Sequence, residues 1–70
     1  MYRVMCVIHA GMIGVEHEVS NHRSKAAAFR KMRSLRHNEE DYNIEYYIAD
    51  EDYKQVFETR TKRNGRWVIV

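Results

Sequence analysis

The apolar positions change period along this chain, and each change marks an element. Val4, Met5, Cys6, Val7 and Ile8 form an unbroken apolar run of mostly β-favouring types. Gly11 and Gly14 bracket a turn, and Val15 to Val19 then alternates at period two, which predicts a β-hairpin. From Ser24 the period lengthens. Ser24 is a suitable N-cap for a helix that begins at Lys25, and Ala28, Met32 and Leu35 recur at helical spacing to about Asn38. Glu39-Glu40-Asp41 ends the helix, after which Ile44, Tyr46 and Ile48 alternate with Glu45, Tyr47 and Ala49 as a third strand. Asp50-Glu51-Asp52 reads as a turn into a fourth strand, Tyr53 to Arg60. Asn64-Gly65 is the strongest hairpin signal, because both central residues of a type I′ turn need positive φ, and a fifth strand runs from Arg66 to Val70.

The expected fold is therefore α+β: an antiparallel sheet of four to five strands in the order β-β-α-β-β-β, with one amphipathic helix on one face. At 70 residues the chain is read as one domain, residues 1–70, whose core is small because short chains bury a lower fraction of their surface. No second helix is available for the other sheet face, so some of Tyr42, Tyr46, Tyr47, Tyr53, Phe57 and Trp67 are expected near solvent or against another chain. A homodimer through that uncovered face is one expectation.

Charge alters the picture more than composition does. Ten of the twelve Lys and Arg residues fall in two windows, Arg23 to Arg36 and Arg60 to Arg66, and neither window holds an acid. The windows carry +10 and the rest of the chain −8, so a modest net charge of +2 conceals a dipolar chain. Such sorting points to a basic surface that meets phosphates or an acidic protein. On a wheel of about 100° per residue, Ala28, Met32 and Leu35 cluster on one side with Phe29 at the flank. Arg23, Ala26, Arg30, Arg33 and His37 fall opposite. A helix using Arg for solubility alone would interleave Glu at i+4, and this one does not. The second group, Arg60, Lys62, Arg63 and Arg66, straddles the Asn64-Gly65 turn and so sits at a hairpin tip, where cations also guard against edge-to-edge aggregation. The candidate partner-binding residues are Arg23, Arg30, Arg33, Arg36, Arg60, Lys62, Arg63 and Arg66. Trp67 beside them could stack on a base or cover the core.

Other chemistry is harder to find. His9, His17, His22 and His37 lack the paired short spacings of a zinc site, and the single Cys6 adds no thiolate set. His17 shares a face with Val15 and Val19 and is expected to be partly buried. No serine or threonine stands out as an activated nucleophile, so no catalytic residue and no cofactor are expected. Asp50-Glu51-Asp52 is too short for a calcium loop, which spreads its ligands over about twelve residues. Gly11-Met12-Ile13-Gly14 matches the bare GXXG string of a KH domain, but that loop joins helices and this one joins strands. An RNA-recognition motif would need a second helix. A lone cysteine fits a reducing compartment, and no stretch approaches a membrane span or a signal peptide, so the expectation is a cytoplasmic protein with no membrane contact.

The run Ser24-Lys25-Ala26-Ala27-Ala28-Phe29-Arg30-Lys31, followed by two strands and a terminal Asn64-Gly65-Arg66-Trp67-Val68, resembles small phage-encoded proteins built as hairpin, helix and meander. In layout it is similar to a type I-F anti-CRISPR protein. That resemblance spans most of the chain. It implies a sheet with one helix, no catalysis, and inhibition by occupying the nucleic-acid path of a host complex through basic residues. The expected partner is thus a host protein or nucleoprotein complex, met in the host cytoplasm. Direct binding of nucleic acid by the same cations is the alternative.

Overall fold

The computed structural model describes all residues 1–70. Strands β1 (Tyr2–Ala10) and β2 (Ile13–His22) form the first hairpin, followed by helix α1 (Lys25–Asn38) and strand β3 (Ile44–Ala49). Three short strands follow: β4 (Gln55–Val56), β5 (Arg60–Arg63) and β6 (Arg66–Ile69). The main sheet is antiparallel in the order β2-β1-β3-β4, and β5 and β6 pair only with each other. The fold is α+β, with the helix on one face of the four-stranded sheet.

Local chemistry explains the helix limits. The Ser24 side chain accepts the Ala27 N–H at 3.1 Å, and Arg36 and His37 occupy the last turn, where cations offset the helix dipole. Ala28, Phe29 and Met32 are buried, and they pack with Val4 of β1 and Ile48 of β3, which pair directly across the sheet. Tyr2, Leu35, Tyr46, Val56 and Ile69 close the margins of this core. Only eight residues of the chain are buried, so every core side chain counts. The radius of gyration, 13.2 Å, exceeds the ~11 Å of a compact chain of this length. Part of the reason is the far end of the first hairpin, where Ile8, Met12, Ile13 and Val15 remain exposed.

Three features depart from the sequence reading. First, β2 extends well beyond Val15 to Val19, and Gly14 lies inside it rather than at the turn; the two-residue loop is Gly11-Met12, with Gly11 at φ +66°. Second, the β1–β2 register shifts between Val4, opposite Ser20, and Met5, opposite Glu18, so Val19 is an unpaired bulge residue. The bulge puts Val15 and His17 in phase with Ser20 and His22 rather than with Val19. His17 is exposed, contrary to expectation. Third, the expected strand Tyr53 to Arg60 is broken. Asp50 builds a turn by accepting the N–H groups of Asp52 and Lys54 at 2.9 and 3.0 Å, with Tyr53 at φ +60°. After only two paired residues the chain leaves the sheet and runs to the helix, where β5 and β6 form their own hairpin.

The sheet face away from the helix is polar as well as aromatic. Alternation and register place Arg3, Met5, Val7, His9, Glu16, Glu18, Glu45, Tyr47 and Ala49 there. Arg3 lies over the Tyr53 ring, 4.4 Å from its centroid, pairs with Glu18 at 2.9 Å and donates to the Asp50 carbonyl at 2.7 Å. His9 stands 3.4 Å from Glu45. Met5 and Ala49 are nonetheless buried, flanked across the sheet by Glu18 and Tyr47 and by Arg3 and Gln55.

Candidate functional site

The C-terminal hairpin is what brings the two basic windows together. Its turn has Asn64 at φ +53° and Gly65 at φ +77°, the double positive φ of a type I′ connection. Register then sorts the side chains. Arg60 pairs with Ile69 and Lys62 with Trp67, giving one face; Thr61 pairs with Val68 and Arg63 with Arg66, giving the other. Ile69 reaches the helix side of the core, so the face carrying Arg60, Lys62 and Trp67 turns toward α1.

Between that face and the helix lies a cleft of about 360 Å³, lined by Ala26, Arg30, Arg33, Arg60, Trp67, Val68 and Ile69. Its three guanidiniums come from windows separated by about a third of the chain. Trp67 is 65% exposed, so it does not serve as a core cover. Lys62 sits over its ring at 5.6 Å from the centroid.

One carboxylate organises the cations. Glu58, from the segment between β4 and β5, pairs with Arg33 of the helix and accepts from Arg60 Nε at 2.6 Å. Its carboxyl is held below the ordinary glutamate range, first by the Arg60 hydrogen bond and then by Arg33, against the opposing effect of burial. The helix stripe, acid-free in sequence, thus acquires an acid from 25 residues away. Three cations against one carboxylate leave the cleft positive, with each bound guanidinium retaining further N–H donors.

The other candidate residues divide by what they touch. Arg36 donates to the Tyr46 carbonyl at 3.0 Å and ties the helix end to β3. Arg23, Arg30, Arg63 and Arg66 are exposed and make no ion pair or side-chain hydrogen bond. Arg63 and Arg66 face each other directly across the hairpin. Lys25, outside the candidate set, donates to Thr59 Oγ1 at 3.0 Å and helps fasten the segment before β5 to the helix.

Sequence reasoning missed Glu58. The one signal for it was an acid just before the second basic window, and a fourth strand running through to Arg60 would have hidden its role. It also missed Tyr46 and Glu39. The Tyr46 hydroxyl donates to Glu39 Oε2 at 2.8 Å, and its pKa is pushed up to about 12, chiefly by that hydrogen bond. Tyr46 lies across from Cys6, whose thiol is raised by burial and by the Glu39 charge. A buried thiol of raised pKa is a poor nucleophile.

The largest concavity lies elsewhere. About 970 Å³ in volume, it is bordered by Glu16, Glu39, Asp41 and Glu45 together with Tyr42, Tyr47 and Tyr53. Its carboxylates oppose phosphate, and the hydroxyl–carboxylate pair on its border, Tyr46 with Glu39, holds the phenol in its neutral form. No group of three or more His, Cys, Asp or Glu side chains is arranged to hold a metal ion, and no helix is long and apolar enough to cross a membrane. Comparison of the chain with protein families, curated proteins and solved structures finds no match.

Proposed function

We propose that this chain is a non-enzymatic binding module that engages a host nucleic-acid-handling complex through the basic surface formed by α1 and the C-terminal hairpin, inhibiting or modulating that complex by occupying its nucleic-acid path. The observation that carries this reading is the cleft in which Arg30, Arg33 and Arg60 surround an exposed Trp67. Two features support it further. Glu58 holds two of the guanidiniums in fixed positions, so little side-chain order has to be gained on binding. Arg63 and Arg66 stand face to face without a counter-charge, an arrangement that costs the free protein stability and is relieved by an anionic partner. The acids on the far sheet face make the molecule electrostatically two-sided, which orients it as it approaches such a partner.

Affinity capture from a bacterial lysate, with and without nuclease, tests the reading. A stoichiometric complex retained by the wild-type chain and lost with Arg30→Glu combined with Arg66→Glu supports it. Retention of the same complex by the double variant, or no captured complex at all, refutes it.

A further inference from the structure

Within that surface, the cleft beside Trp67 has a more specific chemistry, and the inference drawn from it rests on the basic-surface reading above. We infer that the cleft binds single-stranded nucleic acid, with one unpaired nucleobase stacked on the Trp67 indole and the flanking phosphates held by Arg30 and the hairpin cations. The part of a nucleoprotein target that this protein grips would then be its exposed strand.

Three observations converge. The indole is a flat apolar surface kept largely in solvent on a chain that contains a single tryptophan. It is anchored by its neighbours rather than by its own burial: Ile69, two residues on, packs against the core, and Lys62 pairs with it across the hairpin. Around it are cations of two kinds. Arg33 and Arg60 are fixed by Glu58, while Arg30 on the helix is free to meet an anion. Arg63 and Arg66, on the opposite face of the hairpin at its tip, line no part of the cleft and add only to the positive charge around it.

The ligand class follows from what each group can recognise. Aromatic side chains on a positive groove are the recurring means of holding single strands, since every base has a π-face and every linkage a phosphate. A duplex keeps its bases stacked on one another and out of reach of a cleft of about 360 Å³. An acidic peptide would satisfy the arginines but leave the indole without a partner. The combination therefore selects an aromatic group flanked by anions.

The lone tryptophan also reports on its own site. Titration of the intact protein with a thymidine oligonucleotide should quench Trp67 fluorescence, and the affinity should fall steeply as salt rises. The matching duplex should bind more weakly. With a labelled oligonucleotide read by anisotropy, Trp67→Ala should weaken binding by roughly 5- to 100-fold without changing the salt slope, while Trp67→Phe should keep most of the affinity. Circular dichroism of both variants checks the fold. Absence of quenching, a duplex bound as tightly as the single strand, or unchanged affinity in Trp67→Ala would overturn the inference. Quenching by poly-glutamate but not by the oligonucleotide would also overturn it, assigning the cleft to an acidic protein and leaving the basic-surface reading intact. Conversely, an oligonucleotide that binds while no lysate complex depends on Arg30 and Arg66 would sink the proposed function and leave the cleft assignment standing.

Discussion

Arg63 and Arg66 are cross-strand partners at the tip of the C-terminal hairpin, and neither forms an ion pair with a carboxylate. Like charges directly opposite in a sheet are destabilising, whereas opposite charges contribute roughly 0.2 to 1 kcal/mol. Arg63→Glu should therefore raise the melting temperature at low salt by about 1 to 6 °C and lower partner affinity at least tenfold. Thermal melts and a binding titration on one preparation measure both. A variant that neither melts higher nor binds less tightly would remove the tip from the contact surface.

Arg30 and Arg33 lie on the same basic stripe but should respond differently to charge reversal. Arg30 has no partner, so Arg30→Glu should change stability by no more than ~0.5 kcal/mol. Arg33→Glu would bring a second carboxylate against Glu58 and should cost about 1 kcal/mol or more, despite the partial exposure that weakens such pairs. Denaturant unfolding of the two single variants distinguishes them. Equal stabilities would mean that the Arg33–Glu58 pair contributes nothing in solution.

That contrast shows where the sequence was legible. The helix could be read because its evidence is local: a capping serine, an apolar stripe and an acidic stop all lie within a few residues of one another. The Asn64-Gly65 turn could be read because positive φ is a demand on residue type. The break in the fourth strand was not readable. Val56 and Thr59 favour strands, Phe57 does too, and nothing in that run shows that Glu58 will turn to a helix arginine 25 residues back. The bulge at Val19 was hidden for a related reason, since alternation looks regular until a pairing partner fixes the register. The site followed the same division: the cations were visible as two windows, but the acid that joins them and the cleft they line exist only in three dimensions.

Gly65 should tolerate no side chain, though space is not the reason. An added Cβ would meet nothing within 4 Å, so the obstacle is the backbone at φ +77°. Gly65→Val should destabilise the hairpin by about 1 kcal/mol or more, because a β-branched residue is strained there. Hydrogen exchange at β5 and β6 should accelerate before exchange in the main sheet. Unchanged protection in that hairpin would mean its turn has another conformation in solution.

The Tyr46–Glu39 hydrogen bond should give the protein an alkaline weakness. The neutral phenol is the donor, so the folded state holds its proton to about pH 12, whereas an unperturbed tyrosine releases it near 10. Between those values the folded state binds more protons than the unfolded one, and stability must fall as pH rises. The contribution is complete below pH 10 and is lost on approach to 12. Tyr46→Phe should lower stability at neutral pH and flatten part of the alkaline decline; Tyr47, also raised by burial, accounts for a further part. Urea midpoints from pH 8 to 11 for both proteins test this, and parallel curves would rule out the bond as the source.

Glu58 should dominate the acid side. Its carboxylate is favoured in the folded state by Arg60 and Arg33, so its pKa lies below the ordinary 4.5. Here the unfolded chain binds protons first as pH falls. The stability Glu58 contributes is therefore intact above about pH 4.5 and declines below it, as the folded carboxyl in turn becomes protonated. Protonation removes one charge and releases two guanidiniums, which loosens the tie between α1 and the segment leading into β5. Glu58→Gln should mimic that state at neutral pH: a lower melting temperature, and a weaker dependence on pH below about 4.5 than the wild type shows. Glu51, lowered by its hydrogen bond to the N-terminal ammonium, titrates in the same direction, so some acid sensitivity should persist in the variant. Binding separates the carboxylate's two effects. Loss of a negative charge from the cleft raises its potential, but release of Arg33 and Arg60 disorders it. If fixed geometry matters more, as the exposed Trp67 beside them requires for stacking, Glu58→Gln should bind a single-stranded oligonucleotide more weakly despite its extra positive charge. Tighter binding by the variant would show that the cleft attracts anions by charge alone and that Glu58 serves only to hold the hairpin to the helix.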